Sequence, residues 1–472
     1  MSSAGQRLSL ATILVFCLSN LAPAMLGVVL FVYLPPYLAS HLGVSLAVIG
    51  GVWASVRLID LGIDPLLGHL MDRTDTRYGR YRVWLAAGVP VFALGTYMLF
   101  MAPQGIGGGY LFFWLFFLYV GNSIINLSQT AWSATLATGY DERSRIFGIL
   151  TAVGVIAAVV SLLVPVFAPM LGITAPGADV RAMGWMIIAC TPLGIWLATW
   201  FTPERVNRAT VHQFVARDYL EIVTKPEVVR LYLAQVMLTL GPGWMSAMYL
   251  FYFQDVRGFT SQQSTILLLI YILIGVAGAP LTARLATRIG KHRTLMVTTT
   301  AFSLGLLTIP FYPKGNLLLM APGMAWAGFM AAGFGLMVNA MMADVGDEIR
   351  LHQGKERISL LYALLSFAGK LTAGFAIGLT FPLLAFFGYN AGEHAHNTPQ
   401  AVKALEWIFI AGPIVFVMLG GVCVWGWKLD AAKHAAIRAE LDARDAAALA
   451  QAAILADLGA APSAALVVED AT

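Results

Sequence analysis

Residues 52–82, VWASVRLIDLGIDPLLGHLMDRTDTRYGRYR, begin as an apolar helix and end in a dense run of charges. The apolar part nevertheless carries Arg57, Asp60 and Asp64, whose spacing places all three on one face of a helix. A charge at the centre of a membrane-length segment costs about 2.5–3.5 kcal/mol on insertion scales. The stretch therefore predicts a membrane helix with a functional site near mid-depth.

The composition excludes a soluble protein. Of the 472 residues, 59% are hydrophobic and 11% are charged, whereas about 25% of an ordinary soluble domain is charged. The apolar runs exceed the roughly 20 residues that cross a bilayer core as a helix. The net charge of +4 is spread over loops, so it does not indicate binding of nucleic acid. We predict an all-α, polytopic membrane protein.

The three cysteines, Cys17, Cys190 and Cys423, each lie within an apolar run. An odd and scattered set is not typical of a disulfide framework or a metal site. We interpret them as small buried hydrophobic residues.

Twelve transmembrane helices are predicted from the apolar runs. They cover residues 9–33, 47–71, 83–103, 109–138, 146–171, 181–202, 229–254, 262–288, 293–313, 316–342, 357–388 and 402–427. The grouping predicts an N-terminal six-helix bundle (1–202), a central loop (203–228), a C-terminal six-helix bundle (229–427) and an Ala-rich tail (428–472). Residues 214–223, FVARDYLEIV, predict a short interfacial helix in the central loop.

The basic residues fall on alternate loops. One set of loops holds Arg73, Arg77, Arg80, Arg82, Arg143, Arg145, Arg205, Arg208, Arg217, Lys225, Arg288, Lys291, Arg293, Arg350, Lys355 and Arg357, and the other set holds Arg181, Arg257, Lys314 and Lys403. Cytoplasmic loops carry the excess of lysine and arginine. The rich set and both chain termini are therefore predicted to be cytoplasmic.

The two halves of the chain show a weak internal repeat. Residues 79–82, GRYR, between helices two and three match residues 290–293, GKHR, between helices eight and nine. Two repeated six-helix bundles around a site at the membrane midplane are the architecture of major facilitator transporters. A rigid channel or a membrane enzyme does not require this duplication.

Four charges lie too deep to reach the interface: Arg57, Asp60, Asp64 and Lys370. At ~1.5 Å per residue, Asp60 lies ~16 Å from its helix end and Lys370 ~18 Å from its helix start. Two carboxylates one turn apart repel each other, which favours binding of a proton or another cation by one of them. We predict that Arg57 pairs with Asp60, which leaves Asp64 as the available cation site with Lys370 as its competitor.

A purely structural reading also exists, in which these charges only lock helix two to helix eleven. Hydrophobic packing would join the helices at a lower cost, since a buried ion pair is weak evidence for stability.

Two long motifs carry a family resemblance. Residues 57–80 read R-x-x-D-x-x-x-D-P-x-x-G-x-x-x-D-R-T-x-T-R-x-G-R, and residues 342–348 read M-A-D-V-x-D-E, followed by GKER at 354–357 and Y-A-x-x-x-F-x-x-K at 362–370. Trp132 followed by residues 141–143, DER, adds a third match. Together these resemble the melibiose permease group, the glycoside–pentoside–hexuronide:cation symporters of the major facilitator superfamily, over residues 8–427.

The resemblance implies symport by alternating access. It implies that Asp60 and Asp64 bind the coupling Na⁺, H⁺ or Li⁺, that Trp132 stacks on the sugar, and that Arg57 and Lys370 contact or position the substrate. It also implies a cytoplasmic gate formed by Asp72, Arg73, Arg77 and Arg80.

The chain departs from the family pattern at several positions. Asn20 stands where the family has a sugar-anchoring aspartate, and an amide is a weaker acceptor than a carboxylate. Ser128 stands where an aspartate lies near the cation, Ile63 replaces an asparagine, and Val153 lies where an arginine is used. We still assign Asn20 to substrate and Ser128 to the cation. Fewer oxygen ligands favour a proton, although side chains of helix four could supply sodium ligands: Asn122, Asn126 and Gln129.

The sequence is thus interpreted as a monomeric symporter in the inner membrane that carries a sugar or glycoside with H⁺ or Na⁺. We expect no enzymatic activity and no cofactor. We also expect no metal beyond Na⁺ at Asp60 and Asp64. A lysolipid or other amphiphile symporter of the same fold is one alternative. A non-transporting membrane sensor or enzyme is the alternative of another class.

Overall fold

The computed structural model describes residues 8–74, 76–136, 140–173, 175–204, 223–354, 357–392 and 395–457. Over these ranges the chain forms helices and no strand, which confirms the predicted all-α fold. The helices are α1 Leu10–Ser40, α2 Leu46–Arg73, α3 Tyr81–Phe100, α4 Gly108–Leu136, α5 Tyr140–Phe167, α6 Ala178–Phe201, α7 Pro226–Phe251, α8 Ser261–Ile289, α9 Lys291–Thr308, α10 Leu317–Gln353, α11 Ile358–Phe386, α12 Pro399–Cys423 and α13 Ala431–Asp457.

Helices α1–α12 correspond to the twelve predicted spans. Within the described ranges, eleven of them are long and apolar enough to cross a membrane, and α7 falls below that level although it has 26 residues. Its polar Gln235 and the Gly-Pro-Gly stretch at 241–243 lower its hydropathy. The helix lies in the interior, where it packs against α10, α11 and α12.

Helices α1–α6 pack mainly among themselves, and so do α7–α12. In the first group α1 packs on α5 and α6, and α3 on α4 and α6; in the second group α7 packs on α11 and α12, and α9 on α10 and α12. Between the groups, α2 packs on α11, α8 on α5, and α1 on α7. The pattern is that of two equivalent halves related by a pseudo-two-fold axis. The interfacial helix predicted at 214–223 falls largely outside the described residues.

The strongest contact between the halves, α2 with α11, depends on small residues. A Cβ added to Gly374 would lie 2.4 Å from Cβ of Arg57, and one added to Gly378 would lie 2.8 Å from Cβ of Ala54. A Cβ on Gly50 would lie 2.6 Å from Pro382. Small residues allow membrane helices to approach this closely. The glycines thereby bring the charged face of α2 directly against α11.

The glycine of the repeated motif before α3 and α9 has a positive φ in both halves. Gly79 adopts φ +114° and Gly290 φ +91°, in the region that glycine enters without a steric penalty. Gly79 lies two residues before α3 begins at Tyr81, and Gly290 lies directly before α9. We call this end, which carries the arginine-rich turns, the basic end, and the other end of the bundle the opposite end.

The pseudo-equivalent helices α1 and α7 both give way to a π-helical turn near the opposite end, and α1 also contains a 3₁₀ turn nearer its start. In α1 a 3₁₀ turn at Leu18–Asn20 and a π-helical turn at Val29–Tyr33 interrupt the helix. A second π-helical turn, Tyr252–Val256, directly follows α7. Such π turns are frequent at functional sites.

The tail forms a long helix, α13, that docks on the basic end of α10. Lys433 pairs with Glu348 at 2.6 Å, and His434 approaches Asp347 at 3.0 Å. Ile437 and Leu441 of α13 are buried. The helix is therefore held by ion pairs around a small apolar contact.

We expect the double variant Asp347→Asn/Glu348→Gln to loosen α13. Exposed ion pairs contribute about 0.2–1 kcal/mol each, so the loss of several pairs should cost about 1–2 kcal/mol of docking free energy. A loss of that size raises the undocked fraction about fivefold to thirtyfold. Limited proteolysis within α13 should accelerate accordingly. The control is Asp442→Asn, which removes a pair internal to α13. Equal cleavage rates for all three proteins would contradict the docking.

Candidate functional site

The four deep charges predicted from the sequence converge where α2 meets α11. Arg57 and Asp60 are 8% and 1% exposed. Arg57 Nη1 donates to Asp60 Oδ2 at 2.8 Å, and its Nε donates to the backbone carbonyl of Lys370 at 2.7 Å. The guanidinium carbon lies 4.9 Å from the centroid of the Tyr119 ring, a cation–π distance. Arg57 therefore fixes Asp60 and at the same time binds the backbone of the other half.

The second oxygen of Asp60 has a partner that the sequence did not single out. The hydroxyl of Ser123, on α4, donates to Asp60 Oδ1 at 3.1 Å. Ser123 is buried, and it faces Asp60 because α4 packs on α2. In the sequence its only signal is membership of a polar series along helix four. Both oxygens of Asp60 are thus compensated by protein groups.

Only one of the two carboxylate oxygens of Asp64 has a partner within the described ranges. Its Oδ2 pairs with the ammonium of Lys370, while Oδ1 is buried and has no hydrogen-bond partner among the described residues. The Asp64 side chain is 15% exposed and that of Lys370 is 33% exposed. A buried carboxylate oxygen without a partner is costly. This pair is therefore the more open and less satisfied of the two.

Two other predicted site residues, Asn20 and Ser128, lie away from this cluster. The Asn20 amide donates to the Leu150 carbonyl of α5 at 3.3 Å. The Ser128 hydroxyl lies 3.7 Å from the sulfur of Met71. Neither contacts Asp60 or Asp64 in this conformation, and their roles stay predictions.

Trp132 is enclosed near the basic end. It is fully buried, and its indole Nε1 donates to the Pro203 carbonyl at 3.4 Å. Phe16 packs edge-on at 5.3 Å between ring centroids, and the Arg82 guanidinium lies 5.6 Å from the indole ring. Contact between Trp132 and a sugar would require a different conformation from this one.

The gate residues predicted in the turn after α2 bind within their own half. Arg80 Nε donates to the Thr74 carbonyl at 3.1 Å, and the Arg77 guanidinium lies 4.7 Å from the Tyr78 ring. Arg73 and Asp72 are exposed, and Asp72 has no ion-pair partner within the described ranges.

Sequence reasoning missed Glu204, which organises this turn. Its carboxylate accepts from the backbone N–H groups of Arg80 and Tyr81 at 2.7 and 2.8 Å. It thereby caps the N-terminus of α3, where an anion is favoured. The turn is thus anchored to the end of α6.

Hydrogen bonds between the two halves are distributed unevenly. Besides those at Arg57 and Lys370, the described residues contribute two at the opposite end. The Tyr33 and Thr265 hydroxyls lie 2.8 Å apart, and Gln262 Nε2 donates to the Val166 carbonyl at 2.9 Å. Both of these bonds join residues near the opposite end, one from α1 and one from α5 to the start of α8. The halves are thus closed together at the opposite end.

A cavity of about 440 Å³ lies at the centre, between α1 and helices α7, α8, α10 and α11. Its walls are mostly apolar, and hydroxyls come from Thr239, Ser246 and Tyr271. Ala373, three residues after Lys370 on α11, links it to the charged cluster. The volume lies in the range of small-molecule sites.

Comparison with known proteins gives a consistent picture. A family model described as MFS/sugar transport protein matches residues 15–431. The isoprimeverose transporter of Lactiplantibacillus pentosus is 24% identical over 84% of each chain. The glucuronide carrier protein homolog of Escherichia coli (strain K12) is 25% identical over 93% of this chain and 97% of its own.

Two solved structures share the fold. The nucleoside transporter NupG superposes with a TM-score of 0.66 at 12% identity, over 89% of this chain and 100% of its own. A bacterial homolog of the human lysosomal transporter Spinster, in an inward-facing and unoccupied conformation, gives 0.60 at 14% identity, over 92% and 97%.

We expect Ser123→Ala to destabilise the protein, because it leaves Asp60 Oδ1 buried without a donor. Such a loss costs about 1–3 kcal/mol. Thermal unfolding of the detergent-purified protein should show a clear drop in Tm. Ser133→Ala is the matched control on the same helix, since that hydroxyl bonds only to the Thr130 carbonyl of its own helix. Similar Tm values for both variants would show that Ser123 does not support Asp60.

Proposed function

The chain belongs to the MFS/sugar transport protein family, and on this premise we propose that it is a symporter that carries a saccharide or glycoside with a cation by alternating access. It is a membrane transporter and not an enzyme. The observation that carries the coupling part of the proposal is the half-satisfied ion pair of Asp64 with Lys370 between α2 and α11.

The two carboxylates are proposed to have different tasks. In this structure Asp60 is held by Arg57 and Ser123, so both of its oxygens have a donor. Asp64 depends on Lys370 alone, so a cation that binds Asp64 releases the lysine. Because the lysine belongs to the other half, its release weakens the contact between the halves. Cation binding would then change the balance between the two conformations.

A proton is favoured as the coupling ion. Sodium needs several oxygen ligands at once, whereas a proton needs one carboxylate. Of the amide oxygens proposed as extra sodium ligands, Asn122 Oδ1 already accepts from Asn126 Nδ2 at 2.9 Å, and Gln129 Nε2 donates to the Ser19 hydroxyl at 2.6 Å, which directs this amide toward α1. Asp64 Oδ1 remains as an acceptor for the proton.

A saccharide solute is supported by the relatives and by the central cavity. The printed names of the relatives include an isoprimeverose transporter, a glucuronide carrier homolog and a lactose permease from Leuconostoc lactis. A cavity of about 440 Å³ has room for a small saccharide. Three hydroxyls and the neighbouring charged cluster offer hydrogen bonds to a polyol.

The amphiphile alternative is kept because of one observation. The cavity wall is largely apolar, with Phe31, Val32, Leu238 and Phe334 among its lining residues. A lysolipid or an alkyl glycoside would cover this surface. Competition of each class against transport of the best saccharide separates the two alternatives.

The orientation follows from the loop charges. With the basic end in the cytoplasm, as the distribution of lysine and arginine indicates, the closed opposite end faces outward. The conformation described here is then inward-facing, with both termini in the cytoplasm.

We expect Asp64→Asn and Lys370→Ala each to abolish accumulation in proteoliposomes, with uptake at least tenfold below wild type. Each change leaves one deep charge without its partner, at a cost of about 2.5–3.5 kcal/mol. The double variant should regain stability but not accumulation, because the cation site is gone. Lys433→Ala, which removes an exposed pair on α13, is the control. Wild-type accumulation by Asp64→Asn would reject the coupling role.

The coupling ion is tested by imposing one gradient at a time. With isoprimeverose, lactose and a phenyl glucuronide as probes, an inward proton gradient of one pH unit should drive about tenfold accumulation at one proton per solute. A sodium gradient alone should drive none. Accumulation that needs sodium and persists in the presence of a protonophore would reverse the assignment.

A further inference from the structure

A second cavity, of about 510 Å³, opens at the opposite end along the line where the halves meet. It is separate from the charged cluster. The first half contributes the end of α1 and the connection from α5 to α6, and the second half contributes the turn after α7 and the start of α8. Its polar lining groups include Tyr37 and Asp179 from one half and Gln254 and Ser261 from the other.

Several polar side chains of this cavity lack partners among the described residues. The side chains of Ser40, Gln254 and Ser261 have no hydrogen bond there, and one oxygen of Asp179 accepts from the Val180 N–H at 2.9 Å while the other has no bond. All four are only partly buried. They therefore present two hydroxyls, an amide and a carboxylate oxygen to whatever occupies the cavity.

An ordered aromatic and apolar surface faces these groups. The Tyr37 ring is contacted edge-on by His41, with 5.5 Å between centroids. The backbone at Gly177, with φ +66°, comes so close that an added Cβ would lie 2.4 Å from the Tyr37 ring. Pro36, Pro165 and other prolines complete this side. Tyr37 is thus held rigidly against the cavity.

The chemistry of this lining matches a neutral polyol. Sugar rings have apolar C–H faces, which pack on aromatic and proline surfaces, and hydroxyls that bond to amides, hydroxyls and carboxylates. Within the described ranges, the lining residues include the carboxylate of Asp179 and no lysine or arginine. An anionic ligand is therefore disfavoured.

We propose that this cavity is a second saccharide-binding site, distinct from the central cavity; the identity of the ligand class rests on the proposed function. Its groups come from both halves, whose separation here is set by the bonds from Tyr33 to Thr265 and from Gln262 to Val166. A saccharide that bridges Asp179 and Gln254 stabilises the closed arrangement of this end. High saccharide concentration on this side therefore slows transport.

Protection from thiol modification tests the site. Gln254→Cys is made in a chain whose Cys17, Cys190 and Cys423 are alanine, and the purified protein in detergent reacts with a methanethiosulfonate reagent, with and without isoprimeverose or lactose. The saccharide should slow the reaction at least fivefold. Lys314→Cys, exposed at the same end and outside the cavity, should react at an unchanged rate. Protection should persist when Asp64→Asn blocks transport.

Each outcome decides between the proposals. Unchanged reactivity of Gln254→Cys with a saccharide that the wild type transports would overturn the second site and leave the proposed function intact. Protection that disappears with Asp64→Asn would also overturn the second site, because such protection would report binding at the central site. Protection without transport of any saccharide would support the second site and reject the proposed function. Gln254→Leu/Ser261→Ala should relieve inhibition at high saccharide concentration while transport at low concentration stays within twofold of wild type.

Discussion

The close approach of α2 and α11 is the constraint on which the site depends. Gly374 and Gly378 let the helices approach until only small side chains fit between them. The charged face of α2 then meets Lys370, and two acidic and two basic groups lie together, with Arg57 and Asp60 buried and Asp64 and Lys370 partly exposed. Close packing already joins these helices, and a buried ion pair is weak evidence for an added structural role.

The two carboxylates on α2 differ because their neighbours differ. Asp60 receives donors from its own helix and from α4, which remain in place as long as the first half stays folded. Asp64 receives its single donor from the other half. A change in the separation of the halves therefore affects Asp64 more than Asp60. The proposed coupling of cation binding to movement of the halves rests on this asymmetry.

The two ends of the bundle also differ. At the opposite end, hydrogen bonds from α1 and α5 to α8 hold the halves together and enclose the outer cavity. At the basic end, Glu204 caps α3 within the first half, and α13 docks on α10 within the second. The uneven distribution of contacts, and not any single residue, defines the conformation.

The fold and the charged face of α2 could be predicted from the sequence, because hydropathy and helical periodicity are local properties of the chain. The pairing of Arg57 with Asp60, one turn apart, was predictable for the same reason. The donation from Ser123 to Asp60, the enclosure of Trp132 and the displacement of Ser128 from the cluster were not, since they depend on how each helix is rotated and which helix lies beside it. Those quantities are determined by side-chain packing between segments far apart in the chain, so only the tertiary structure decided them.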